Sequence, residues 1–429
     1  MRPYKTVRAE STALLTQALR VFLGPAANQI NVERDVPESV SNRSFPSFSL
    51  SPSPAVRKRL RREGYDHFRQ FVALSSQNNP RWLLPFDEDS GTLAGTDIYL
   101  PYRWAPRMLK RMVIATAKLG CVGCFRSRIL VASRGPLRLE TLVHKITGEQ
   151  HPIFALSLGR RAAVRKLTVQ VMRPLTANNE KTPQVLGYMK LPLTNVASER
   201  VRHEAGTLER LWNFPSLRKH IPRLLCACNW NDTYLLFQSS LDGTIGPTHL
   251  NRMHEEFLQA LRNVYRVLKP GKALIQKVGA RWEKVAPLLG AKWDELGREV
   301  LVRATRVIND KILPFSIMHG DFAPWNTRVR DKELLLFDWE SADWEAPTTW
   351  DMSHFELLTT TNLGKNGGHH SFDIEFGGTF FMLYLLNSVC QFLEEGNYEA
   401  ISHRQRLLTE QFHLISNGAT TLVELKASF

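Results

Sequence analysis

Apolar residues between positions 152 and 191 fall in three short runs, 152–158, 167–172 and 185–191, separated by the turn-rich or polar stretches 159–166 and 173–184. Runs of that length bounded by breakers predict strands, and three in succession predict an antiparallel meander. The period then changes. Val201, Ala205, Leu208 and Leu211 recur at helical spacing and predict a helix over 198–212, after which residues 234–237 predict one more strand before an Asp242-Gly243 turn. From Leu250 onward the spacing is mainly helical, apart from short strand-like pieces on either side of residues 319–338. The apolar stretch 380–393 is interrupted by Asn387, Ser388 and Gln391. It is shorter than the roughly 18 residues of a spanning helix and predicts a buried one.

The first third is less regular. Residues 28–54 are rich in Ser, Pro and Asn and predict an irregular leader. Over 55–74, Val56, Leu60, Tyr65, Phe68 and Phe71 stand at approximately helical spacing beside Arg57, Lys58, Arg59, Arg61 and Arg62, which predicts a basic amphipathic helix. Short apolar runs at 82–85 and 97–100, a helical pattern at 108–119 and a strand pattern at 128–132 follow. No fixed-period repeat is present, which argues against solenoids and propellers. A chain of 429 residues exceeds what one core usually supports. The pattern divides it into a leader (1–55), a basic extension (56–132), a sheet-bearing region (133–243) and a helical region (244–429).

Composition adds little to this: 43% hydrophobic and 23% charged residues are ordinary for a globular protein. Residues 1–15 contain Arg2, Lys5, Arg8 and Glu10 without a continuous apolar core, so no secretory signal is expected and a cytoplasmic location is. Cys121, Cys124, Cys226, Cys228 and Cys390 make a poor zinc pattern, and reduced thiols are the expectation. Charge changes the picture more. The net charge is +15, and residues 1–140 hold 22 Lys and Arg against 11 Asp and Glu, so most of the excess lies there. Such a surface suits nucleic acid, an anionic membrane or a phosphorylated ligand. No interleaved basic and aromatic module is visible, so no nucleic-acid partner is expected, whereas membrane association of the basic N-terminal region stays open.

The chemistry concentrates in one stretch. His319-Gly320-Asp321-Phe322-Ala323-Pro324-Trp325-Asn326 is followed by the apolar run Leu334-Leu335-Leu336-Phe337 and then by Asp338-Trp339-Glu340. A carboxylate, an amide five residues later, and a second carboxylate at the end of a buried strand is how kinases arrange a base and two hard oxygen ligands for Mg²⁺. Glu340 and Asp343 are alternative acids close by, and His319 reads as a brace for the loop.

These strings closely resemble the aminoglycoside phosphotransferase and choline kinase superfamily. The resemblance implies an α+β, bilobal protein-kinase-like fold: a small antiparallel-sheet lobe plus a larger mostly helical lobe, here with an N-terminal extension, and ATP in the cleft between the lobes. It implies Asp321 as the catalytic residue and Asn326 and Asp338 as metal ligands. It further implies a strand lysine on the nucleotide's phosphates, matched by Lys190, and a helix glutamate that orients it, matched by Glu204. The segment 235–241, with Gln238, takes the position where backbone would meet the adenine edge, and Gly159 is the single glycine of the first hairpin, beside Arg160 and Arg161. Pro347 and Asp351 resemble the family's Pro-x-x-x-Asp element, with Asp351 a structural hydrogen-bond acceptor. The implied activity is ATP- and Mg²⁺-dependent phosphotransfer to a small-molecule acceptor, with a catalytically dead scaffold or a polyanion- or membrane-binding protein as the alternatives.

Overall fold

The strand and helix periodicities of the sequence segregate into two units, residues 1–209 with 222–241, and residues 210–221 with 242–429. The computed structural model describes residues 4–23, 31–33, 47–50, 54–76, 79–86, 89–98, 104–119, 128–159, 163–175, 183–230, 232–347, 349–363, 374–396 and 398–416. Cys121, Cys124, Arg160 and Arg161 lie outside them. Among the described residues no helix is long and apolar enough to cross a membrane.

The first unit contains, in chain order, α1 (Tyr4–Leu23), β1 (Asn31–Glu33), β2 (Ser47–Leu50), α2 (Pro54–Arg62), β3 (His67–Ser76), β4 (Asn79–Pro85), α3 (Asp89–Gly95), α4 (Trp104–Lys118), β5 (Arg128–Ser133), α5 (Arg138–Thr147), β6 (Ile153–Leu158), β7 (Lys166–Arg173), β8 (Gln184–Pro192), most of α6 (Asn195–Trp212), β9 (Leu224–Trp230) and β10 (Thr233–Ser239). The predicted meander is β6-β7-β8, antiparallel throughout. It belongs to a ten-stranded sheet of order β1-β2-β5-β3-β4-β6-β7-β8-β10-β9.

That sheet corrects the expected division of the first 132 residues. β4 pairs with β6 through Trp82↔Ser157 and Leu83↔Leu156, so residues 56–132 are not a separate extension. Nor is 1–55 wholly an irregular leader. In α1, Leu15, Leu19, Phe22 and Leu23 form one apolar helix face, buried in the same core as Leu167, Val169, Met189 and Leu191. Gln17 Nε2 donates to the Leu193 carbonyl at 2.8 Å, and Trp230 Nε1 donates to that of Val21 at 2.9 Å. The helix expected over 55–74 ends at Gly64, whose φ of +89° is open to glycine. Gly64 N–H donates to Arg61 O and Tyr65 N–H to Leu60 O, a Schellman closure. Phe68 and Phe71 therefore stand on β3. The short apolar run at 97–100 begins in a 3₁₀ turn, Thr96–Ile98. β9 was not anticipated, because Cys226, Cys228 and Asn229 break its apolar pattern.

The second unit is mostly helical: β11 (Thr244–Ile245), α7 (Arg252–Val264), β12 (Arg266–Pro270), α8 (Gly271–Val285), α9 (Ala291–Ile308), β13 (Ile312–Met318), β14 (Thr327–Arg330), β15 (Glu333–Leu336), β16 (Asp343–Pro347), α10 (Trp350–Leu363), α11 (Ile374–Glu394) and α12 (Tyr398–Ser416). α11 is the buried helix expected over 380–393, and Met382, Leu383, Leu385 and Leu386 pack with Trp282 of α8 and Val300 of α9. Two three-stranded sheets, β11-β14-β15 and β12-β13-β16, contain the strand pieces expected on either side of residues 319–338, β13 and β16, and the strand β15 before Asp338, and add β11, β12 and β14, which the periodicity did not announce.

The shared core makes a direct test of the N-terminal residues available. Phe22 is fully buried edge-on to Phe71 and Phe154, with ring centroids 6.3 and 5.5 Å away. Phe22→Ala is expected to destabilise the sheet unit by about 3–5 kcal/mol in urea unfolding. A loss below roughly 1 kcal/mol would mean that the N-terminal helix is a detachable extension after all.

Candidate active site

In the sheet unit, alternation along β8 sends Met189 and Leu191 into the core shared with α1, which turns Lys190 to the opposite face. There Glu204 of α6 meets it: Lys190 Nζ donates to both Oε1 and Oε2 at 2.6 Å. Lys190 is 5% exposed and Glu204 is fully buried. A buried pair of this kind is demanding, because removing either partner leaves an uncompensated charge away from water. The structure therefore brings together the two residues that the sequence singled out fourteen positions apart.

Gly159 and Gln238 take other places. A Cβ on Gly159 would sit 2.8 Å from the Lys166 carbonyl, so the hairpin backbone itself accounts for the glycine. Gln238 is buried within β10, in register with Tyr188 of β8 and Leu224 of β9, which makes it a ladder residue. The next two amides are also committed, Ser239 N–H to Arg223 O and Ser240 N–H to Leu186 O. Cys226 and Cys228 pack beside the core, and burial, then the neighbouring Cys228, push the Cys226 thiol up to about 11. It is a protonated packing group at neutral pH.

In the helical unit the site is built by one loop and one hairpin. β14 and β15 are joined by Asp331-Lys332, both at positive φ (52° and 63°), a two-residue turn whose twist suits a tight hairpin. Its register pairs Thr327 with Leu336, and Phe337 N–H donates to Asn326 O at 3.1 Å. Asn326 and the residue before Asp338 are thus held side by side at the open end of the hairpin. Asp338 itself adopts φ 71°, ψ 58°, a left-handed conformation that costs an L-residue about 1–2 kcal/mol. Such strain at a carboxylate following a buried strand is characteristic of functional positions.

Asn326 Nδ2 donates to both the backbone carbonyl and Oδ2 of Asp321, each at 2.8 Å. That commits the amide's nitrogen and leaves Oδ1 as the atom that can meet a cation. The Asp338 carboxylate is a second hard oxygen donor of the kind Mg²⁺ takes, carried on the residue after Phe337. His319, fully buried, donates from Nε2 to the Phe337 carbonyl at 3.0 Å and accepts at Nδ1 from the Asp321 N–H at 3.2 Å. Burial holds its pKa below the ordinary value, so it stays neutral and braces the loop as the sequence indicated. Asp351, at the start of α10, accepts from the amides of His319 (2.7 Å) and Gly320 (3.0 Å), which is the structural role expected of it. Gly320 has φ +80°, and a Cβ there would collide with the Ser341 carbonyl.

Two residues of the site were missed by sequence reasoning. His354 lies one helical turn after Asp351 on α10, and its Nε2 stands 3.2 Å from Asp321 Oδ1. Its Nδ1 is 2.7 Å from the hydroxyl of Tyr384 on α11. A carboxylate only accepts, so Nε2 carries the proton and Nδ1 accepts from the tyrosine O–H. Burial pushes the Tyr384 hydroxyl above its ordinary pKa, which keeps that donor in place. Both carboxylate oxygens of Asp321 are thereby fixed, one by Asn326 and one by His354. The i, i+3 spacing of Asp351 and His354 was the only available signal, and the partner on α11 is thirty residues away.

Residues 188–349 match the model of the phosphotransferase enzyme family. That span includes Lys190, Glu204, Asp321, Asn326 and Asp338. Solved structures to which the chain is similar include the GDP and kanamycin complex of an aminoglycoside 2″-phosphotransferase, at 16% identity and a TM-score of 0.41, covering 65% of this chain and 99% of that one. Another is a thermostable form of aminoglycoside phosphotransferase APH(4)-Ia in ternary complex with AMP-PNP and hygromycin B, at 12% identity and a TM-score of 0.43, covering 67% and 100%. No curated protein sequence matches the chain.

Two sets of variants test the site. Glu204→Ala, which strands the Lys190 charge, is expected to cost about 3–5 kcal/mol in urea unfolding, and the double variant Lys190→Met/Glu204→Leu clearly less. Equal losses for the two would argue against a buried ion pair. His354→Leu is expected to lower phosphoryl transfer by about 10–100-fold with the KM for nucleotide unchanged, and His354→Gln, which keeps an N–H donor, to recover most of it. If glutamine and leucine behave alike, His354 does not act through Asp321.

Proposed function

We propose that this chain, whose residues 188–349 match the model of the phosphotransferase enzyme family, transfers the γ-phosphoryl group of ATP, with Mg²⁺, to a hydroxyl or amine of a small-molecule acceptor. The observation that carries the reading is the fixed Asp321 carboxylate, held by Asn326 and His354 on the loop whose hairpin also delivers Asp338.

Phosphoryl transfer passes through a loose transition state that leaves the protein mainly positioning and charge stabilisation to perform. Asp321, with both oxygens tethered, orients the acceptor's hydroxyl and takes its proton as the bond to phosphorus forms. Asn326 Oδ1 and the Asp338 carboxylate would hold Mg²⁺, which supplies neutralisation of the phosphate charge. Lys190 meets the α and β phosphates, and Glu204 keeps its ammonium in one place. Every residue in this assignment is of the type the chemistry requires, which favours an active enzyme over an inactive scaffold.

The test is an ADP-release screen of the full chain against hydroxyl- and amine-bearing metabolites, followed by Asp321→Asn on the best acceptor. Asparagine keeps the size and can still accept from Asn326 and His354, but it lacks charge and proton affinity. Single-turnover transfer is expected to fall by roughly 10²–10⁴-fold. ATP affinity measured by calorimetry on the same samples should change little. Near-wild-type transfer by the variant would falsify the role of Asp321 and with it the mechanism.

A further inference from the structure

Two helices of the sheet unit share a property that phosphotransfer does not use. α2 and α4 together carry nine Lys and Arg and no Asp or Glu. Both rest on the same side of the sheet. Leu60 of α2 packs on Phe68, Leu130 and Ala132, and Val113 and Ala117 of α4 pack on Val72, Leu74 and Leu84. Phe68, Val72 and Leu74 are even-numbered positions of one strand and face one way.

The buried side of α4 is therefore accounted for, yet its opposite side is also apolar. Met108 is 38% exposed, Met112 63% and Leu119 75%. These positions are i, i+4 and i+11, within about 40° of one another around a helix of 100° per residue. The Leu119 amide still donates to Ala115 O at 3.1 Å, so the helical register reaches it. Ala115, at i+7, lies exposed in the same stripe. Single exposed apolar side chains are ordinary, but four on one line are not. Arg107, Arg111 and Lys118 flank the stripe on one edge, all exposed, and Arg61 and Arg62 of α2 are exposed in the same layer.

We propose that the outer surface of the α2–α4 layer docks on a bilayer containing anionic phospholipid. Charge complementarity and the apolar stripe point to the same occupant. The methionines and Leu119 enter the boundary between headgroups and acyl chains, while the guanidinium and ammonium groups beside them meet headgroup phosphates and carboxylates. A nucleic-acid partner would use the basic residues but leave Met112 and Leu119 in water. The inference is independent of the phosphotransfer reading, since none of these residues belongs to the catalytic assignment.

Co-sedimentation of the full chain with vesicles tests it, using phosphatidylcholine alone and phosphatidylcholine with roughly one third phosphatidylserine. Binding is expected to be at least about tenfold tighter to the anionic vesicles, and Arg107→Gln/Arg111→Gln to weaken it about fivefold for each residue removed. Met112→Asp/Leu119→Asp, on exposed positions that leave the fold and calorimetric ATP binding intact, is expected to weaken it by about tenfold or more. No binding, or equal binding to both kinds of vesicle, overturns the proposal. So does a Met112→Asp/Leu119→Asp variant that binds anionic vesicles like wild type and is displaced by double-stranded RNA, which would identify a general polyanion surface.

Discussion

A carboxylate removed from water must find donors nearby, and Asp351 finds them in the main chain of the loop it supports. Its two oxygens take the amides of His319 and Gly320, and burial nonetheless pushes its pKa up against the pull of those donors. The loop cannot shift without leaving that carboxylate unpaired. His319, tied by its own amide, then reaches the Phe337 carbonyl with one ring nitrogen and the Asp321 amide with the other. The positions of Asp321 and of the strand end that delivers Asp338 are thus referred to one buried acid, Asp351.

The same logic of obligate pairing recurs in the sheet unit. Lys190 and Glu204 satisfy each other where neither could stand alone, and the pair fixes α6 against β8 as firmly as it fixes the ammonium group. In both units, therefore, the residues proposed to meet the nucleotide and acceptor are held by partners that are more buried than they are. Asp321 is about a third exposed at its side chain, whereas His354 and Asn326, which hold it, are nearly covered. Rigid positioning of a half-open carboxylate is what a reaction governed by orientation needs.

The first 133 residues show how a fold can absorb what looks separate in sequence. β3, β4 and β5 continue the sheet outward from β6, and α1 closes the core on one side while α2 and α4 cover the other. Nine of the 22 Lys and Arg of residues 1–140 stand on the helices α2 and α4, and α4 carries exposed apolar side chains beside them.

The sequence by itself determined the local elements and the chemical vocabulary. The β6-β7-β8 meander, α6, the buried α11 and the loop–strand–acid order of Asp321, Asn326 and Asp338 are all written at short range, in periods of two or 3.6 and in breakers between them. Lys190 was legible through the resemblance, which implies a strand lysine, and through the strand-like run 185–191 that carries it. What the tertiary structure decided depends on contacts between residues far apart in the chain. α1 falls within what the sequence reads as an irregular leader, and its apolar stripe is buried in the core of β7 and β8; β9 is a strand because β10 pairs with it, despite its broken pattern. Gly64 ended a helix that periodicity alone would have continued to Leu74. His354 and Tyr384 look like ordinary helix residues in sequence, and only the packing of α10 beside α11 brings a hydroxyl, an imidazole and the Asp321 carboxylate into one hydrogen-bonded line. Short-range periodicity reports which face a residue occupies. It carries no information about which distant side chain will be waiting on the other side.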